Sequence, residues 1–141
     1  MTVQQLYPRL VVSDADAAVR FYAAAFGAEL VERYTDGSGR VVHALLRAGD
    51  GLWAVKDADE VDPAPAGPGA VIVALYVDDP DAVAAAMVAG GGRVLVEVAD
   101  HPYGERGGRI ADPYGHAWMV AARSEELDPE EVQRRTAAAY P

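Results

Sequence analysis

VVSDADAAV (Val11–Val19) and YVDDPDAV (Tyr76–Val83) decide the fold, because they answer each other at a fixed spacing. Val12, Asp14, Asp16 and Ala17 return 65 positions later as Val77, Asp79, Asp81 and Ala82. The same offset carries Gly27 of FGAELV onto Gly92 of GGRVLV, and Trp53 of GLWAV onto Trp118 of GHAWMV. In an alanine-rich chain the alanine matches carry little weight, but the Val-x-Asp-x-Asp, Gly and Trp matches share one register. A constant register over a whole module is the mark of a duplicated unit.

Working outward, each copy has one order of elements. Leu6–Val12 and Ala70–Val77 are apolar runs of strand length, each followed by an Asp pair and a helical pattern. In the first helix Val19, Tyr22, Ala23 and Phe26 share a face and Gly27 stops it; in the second Val83, Ala86 and Met87 do so before Gly90–Gly92. The early aspartates suit helix starts, where a carboxylate accepts from free N–H groups. Three strands should follow each helix: Ala28–Tyr34, Val41–Ala48 and Leu52–Lys56, then Arg93–Val98, Gly108–Ala111 and Ala117–Ala122. DGSG (36–39), GDG (49–51) and DPYG (112–115) supply turns between them.

The reading is thus an α+β fold of two βαβββ modules, about 1–58 and 69–122, joined by a Pro/Gly/acid linker at 59–68. Together they form a single domain over 1–124, with a helical tail at 125–141 that starts on Asp128 and Pro129. With 141 residues, 51% of them hydrophobic, the chain can bury one ordinary core. Twelve basic residues against 22 acidic ones leave a formal charge of −10, which offers no basic face for nucleic acid. No apolar run approaches the roughly 18 residues of a membrane span, and the N-terminus has no signal-peptide pattern. Without cysteine there is neither a disulfide framework nor thiolate chemistry. These features suit an acidic cytoplasmic protein.

Four phrases, VSDADAAVRFY (12–22), AFGAEL (25–30), HALLRAGD (43–50) and DPYGHAW (112–118), resemble the vicinal oxygen chelate superfamily of glyoxalases, bleomycin-resistance proteins and dioxygenases. YGERGGRIADPYGHAW (103–118) and the tail SEELDPEEVQRR (124–135) resemble its PhnB-like branch more narrowly. The resemblance implies a curved mixed sheet, a cavity on its concave face and a homodimer. In metal-dependent members it implies ligands on the first and last strand of each module. Those positions fall on Tyr7, Ala54, Ile72 and Met119. Apolar side chains offer a divalent ion no hard donor, so no metal and no cofactor is expected.

What remains for a ligand is Tyr7, His43, Trp53, Tyr103, Arg106, His116, Trp118 and Met119. Each has a plainer alternative. His43 lies mid-strand in VVHALL and can be a half-buried side chain with one satisfied bond; His116 can brace the DPYG turn. Arg106 offers a planar fork for an anion, or pairs with Asp112 or Glu105. The tryptophans line a cavity or pack in the core. His101, before Pro102, reads as solvent-facing or as part of a lid. The leading expectation is a metal-free protein that binds a small cationic or aromatic ligand in a homodimer. The alternatives are a metal-independent enzyme on a small organic substrate, using His43, His116, Tyr7 or Arg106, and a metal-dependent lyase or dioxygenase with non-standard ligands.

Overall fold

A computed structural model describes residues 1–67 and 69–141; Pro68, at the end of the expected linker, lies outside the described residues. The chain divides into two compact units, Met1–Gly69 with Pro113–His116, and Ala70–Asp112 with Ala117–Pro141. Among the described residues the fold is α+β: two four-stranded mixed sheets and three helices.

In the first unit β1 (Arg9–Val12) leads into α1 (Ala15–Phe26), then β2 (Glu29–Thr35), β3 (Val41–Ala48) and β4 (Gly51–Asp57). The sheet order is β1-β4-β3-β2, with β1 parallel to β4 and the other pairs antiparallel. In the second unit β5 (Ile72–Tyr76), α2 (Pro80–Ala89), β6 (Arg93–His101), β7 (Glu105–Ala111) and β8 (Ala117–Arg123) repeat the plan as β5-β8-β7-β6. The tail helix α3 spans Pro129–Ala139.

Every element read from the sequence is present, β3 with the expected bounds and the other strands with shifted ends. β1 starts at Arg9 rather than Leu6 because Pro8 has no N–H for a ladder; its carbonyl still accepts the Ala54 N–H at 2.9 Å. β7 is three residues longer at its start than GRIA suggests, since the glycines at 107 and 108 belong to the ladder opposite Ala121 and Val120. The expected linker opens as a tied turn, in which Lys56 Nζ donates to Asp59 at 2.8 Å and to Asp62 at 2.6 Å.

The repeat also survives at the level of register. Arg9 sits opposite Ala54 in the parallel pair of one unit and Ala74 opposite Met119 in the other, both shifted by 65. Between β3 and β7 the shift is 64: Leu46 faces Trp53, and Ile110 faces Trp118. The longer DPYG turn absorbs the difference.

The aspartates do the work their positions suggested. Asp14 and Asp79 cap α1 and α2, each accepting an N–H three residues on at 3.0 Å. Their neighbours Asp16 and Asp81 bind arginines through both carboxylate oxygens, Arg33 at 2.8 and 2.9 Å and Arg106 at 2.7 and 2.8 Å. Gly27 ends α1 with φ +74°, where a side chain would be strained. Under α1 the core is Val12, Tyr22, Leu46, Trp53 and Val55; in the second unit it is Met87, Ile110, Trp118 and Val120. Trp118 Nε1 donates to the buried carboxylate of Asp112 at 2.9 Å. Among the described residues no helix is long and apolar enough to cross a membrane.

Candidate functional site

Strand alternation sorts the site. Tyr22 and Phe26 of α1 meet the Trp53 ring at 5.8 and 5.9 Å, so Trp53 and Val55 point to the helix. Leu52, Ala54 and Lys56 therefore point to the opposite face. The registers carry Arg9, Val11, Leu45 and His43 onto that face as well. In the second unit the equivalent face holds Met119, Ala121, Gly107, Arg109 and Tyr76.

The first unit's open face is built around His43. Arg9 Nη1 donates to His43 Nδ1 at 3.1 Å, and Arg9 Nη2 to the Val42 carbonyl at 3.2 Å. A guanidinium has no acceptor, so Nδ1 carries the lone pair and Nε2 the proton. Nε2 then donates to Glu32 Oε2 at 3.2 Å. Tyr34 stacks on the imidazole with 14° between planes at 5.7 Å, and Tyr7 lies against it at 6.5 Å. The ring is held on both edges and one face.

The second unit's open face is hollow. A cavity of about 230 Å³ is lined by His101, Tyr103, Arg109, Met119 and Tyr140, among others. His101 stacks on Tyr103 with 3° between planes at 5.2 Å, and its Nε2 donates to the Gly107 carbonyl at 3.0 Å. It is thus half-buried in the wall rather than solvent-facing. Tyr76 Oη donates to both oxygens of Glu105, at 2.9 and 3.1 Å, and the Arg123 guanidinium lies 5.8 Å over the Tyr76 ring. Burial pushes the hydroxyls of Tyr103 and Tyr76 above the usual phenol range, helped at Tyr76 by the Glu105 carboxylate. Both stay protonated donors at neutral pH.

Of the residues singled out in the sequence, Tyr7 and His43 come together on the first open face, and Tyr103 and Met119 in the second unit's cavity. Trp53 and Trp118 stand on the helix-covered faces, 5% and 1% exposed. Arg106 points to the α2 side, where Asp81 and Asp100 take its fork in place of the expected Asp112 or Glu105. His116 ties the DPYG turn to the Val11 carbonyl at 2.8 Å. Sequence reasoning passed over Arg9, Glu32, Tyr34 and Arg109. Arg9 lies two residues from Tyr7 and so shares its face; the others depend on registers that only the folded hairpins fix.

The donor set does not fit a divalent metal ion. Ala54 and Met119 present a methyl and a thioether, their parallel partners are Arg9 and Ala74, and His43 has a guanidinium at its lone pair. Among the described residues no three His, Asp or Glu side chains gather.

A family model described as the Glyoxalase/Bleomycin resistance protein/Dioxygenase superfamily matches residues 4–120. The uncharacterised protein Mb0911c of Mycobacterium bovis is 32% identical over 136 residues, covering 91% of this chain and 89% of its own. Among solved structures, a glyoxalase-related enzyme from Fulvimarina pelagi is 29% identical with a TM-score of 0.64, covering 85% of this chain and 88% of that one. A PhnB protein from Bacillus cereus has a TM-score of 0.63 at 22% identity over 84% of this chain and 99% of that one, a likeness of fold.

Proposed function

The chain belongs to the Glyoxalase/Bleomycin resistance protein/Dioxygenase superfamily, and within it we propose a metal-free protein that binds a small organic molecule. The observation that carries this reading is the second unit's cavity, walled by rings, a guanidinium and the Met119 thioether, the last of which stands where metal-using relatives would need a hard donor. Of the two ligand classes left open by the sequence, the aromatic one has the better support. The flat His101–Tyr103 stack and the Met119 thioether offer ring faces and a soft, polarisable contact. The acidity of the chain gives a cationic ligand less, because ten of its 22 acidic side chains lie in the linker with its approach (50–62) and in the tail (125–131).

A homodimer is part of the proposal. β2 and β6 are each outermost in their own sheet, and each exposes apolar side chains, Leu30 and Val31 in one unit and Val94 and Leu95 in the other, that a second copy would cover. Sedimentation at micromolar concentration should give a dimer; a strict monomer would remove that part of the reading.

The binding reading is tested by elemental analysis of protein purified without chelator, followed by thermal-shift screening with flat aromatic compounds. We expect well under one equivalent of metal and a raised melting point with the compound recovered unchanged. Stoichiometric metal, or conversion of the compound, would overturn it.

A further inference from the structure

We infer that the second unit's cavity is a carboxylate site, which takes a small planar aromatic acid with its charge on Arg109 and its ring beside Tyr103. This rests on the binding reading and names the class of ligand.

One guanidinium in the cavity wall is unmatched. Arg109 is half-buried, and among the described residues its guanidinium makes no hydrogen bond or ion pair. The unit's other half-buried arginines are matched: Arg106 holds Asp81 and Asp100, and Arg135 holds Glu125 and Glu131. A half-buried fork with no acceptor loses hydration without compensation, and a bound carboxylate is the group that restores it. The acid in the cavity's lining is Glu105. Both of its oxygens accept instead from the Tyr76 hydroxyl, and it faces Arg123 across the strand pair. The charged groups in the cavity's own lining are Arg109 and Glu105, and with Glu105 turned to Tyr76 the guanidinium is left without a direct partner. A cationic ligand would meet Arg109 directly.

Shape narrows the class further. The space of about 230 Å³ lies below the ~300–1,000 Å³ of sites for drug-sized ligands, which suits one or two rings. Val96 and Met119 give apolar contact, and Tyr103 offers a protonated hydroxyl beside the charged end. Tyr140, just beyond α3, adds an aromatic wall from the chain's last turn.

The experiment is calorimetric titration of the full chain with three matched sets of probes: benzoate and 2-naphthoate, their carboxamides, and benzylammonium with 2-naphthylmethylammonium. At least one acid should bind at least about tenfold more tightly than its amide, and the cations should bind weakest. Arg109→Gln should cost that acid about tenfold or more, leave amide affinity unchanged and keep the melting point within about 1 °C. Arg109→Lys, which keeps the charge and loses the fork, should recover only part. If an amide or cation binds as well as the acid, or if Arg109→Gln leaves acid affinity intact, the carboxylate site is wrong while the binding reading stands. If no probe binds at millimolar concentration, both fall.

Discussion

The face opposite the helix is filled in the first unit and hollow in the second, although the strands correspond pair by pair. Where the first unit carries Arg9, Tyr34, His43 and Lys56, the second carries Ala74, Ala99, Gly107 and Ala121. On the helix-covered face the correspondence is conservative: Trp53 matches Trp118, Val55 matches Val120 and Leu46 matches Ile110, all within the core. A duplicated module thus holds constant what its own core requires. The opposite face, although Leu45, Ala54 and Ala121 are buried there too, has diverged, toward a bonded ring cluster in one copy and space in the other.

The strongest way to break this comparison is to put bulk into the hollow. A Cβ on Gly107 would stand 2.8 Å from the Val120 carbonyl oxygen and 2.9 Å from the Ala121 methyl; on the helix-covered face, as the matched control, one on Gly108 would stand 2.6 Å from the Val96 carbonyl oxygen. Backbone cannot yield as a flexible side chain can. Gly107→Ala and Gly108→Ala should each destabilise by about 3 kcal/mol, the upper end of overpacking costs. For a chain of this size that lowers the melting point by roughly 10 °C. Thermal unfolding checks it. A loss under about 1 kcal/mol at Gly107 would mean the strands can part, and that the hollow does not depend on their close approach.

The helix-covered half of this picture was legible in the sequence and the open half was not. The Asp pairs, Gly27 and the two tryptophans act locally or in the core, so spacing alone placed two βαβββ modules in order. The open face depends on pairing across strands. Tyr34 meets His43 only because the β2–β3 ladder contains register shifts at Leu30–Glu32 and Tyr34–Thr35, and no pattern within either strand announces them. Likewise the change of offset from 65 to 64 at β7 sets Gly107, rather than Gly108, opposite Ala121. Arg106 drew notice for its fork, and Arg109, three residues on, did not. One residue's difference in parity decides which of them faces the helix.

The first unit's cluster invites the converse substitution. His43→Ala removes a ring stacked on Tyr34 and two hydrogen bonds, leaving Arg9 and Glu32 to pair through water or directly. The expected cost is about 1.5 kcal/mol, since each partner remains part-exposed and recovers some hydration. Chemical unfolding measures it, and binding in the second unit's cavity should not change. If ligand affinity falls with stability intact, the first face takes part in binding and the division of roles between the units fails.

A smaller effect is expected at Arg106. Its pairs with Asp81 and Asp100 join partly exposed side chains, for which water and salt screen most of the attraction. Arg106→Ala should lower the melting point by no more than about 2 °C and leave aromatic-acid affinity unchanged. A tenfold loss of affinity would return Arg106 to the site and displace Arg109.

The smallest expected effect concerns Lys56, whose position in the second unit is taken by Ala121. Its ammonium, with the Asp62 and Val61 N–H groups, holds the Asp59 carboxyl down to about 2 from the ordinary 3.8. A lowered folded-state value means the pairing contributes fully above the unfolded value. It fades as pH falls from 3.8 through about 2, and it is unaffected between pH 5 and 8. A carboxyl NMR titration should therefore place the Asp59 midpoint near 2. In Lys56→Met it should move most of the way back toward 3.8, because the hydrogen bond from the lysine is the largest cause of the shift. If the midpoint stays near 2 without the lysine, the two backbone donors hold the carboxylate alone. The tied turn would then be a property of the loop, and the Lys56-for-Ala121 exchange would be one more difference of the open faces with no part in closing the first unit.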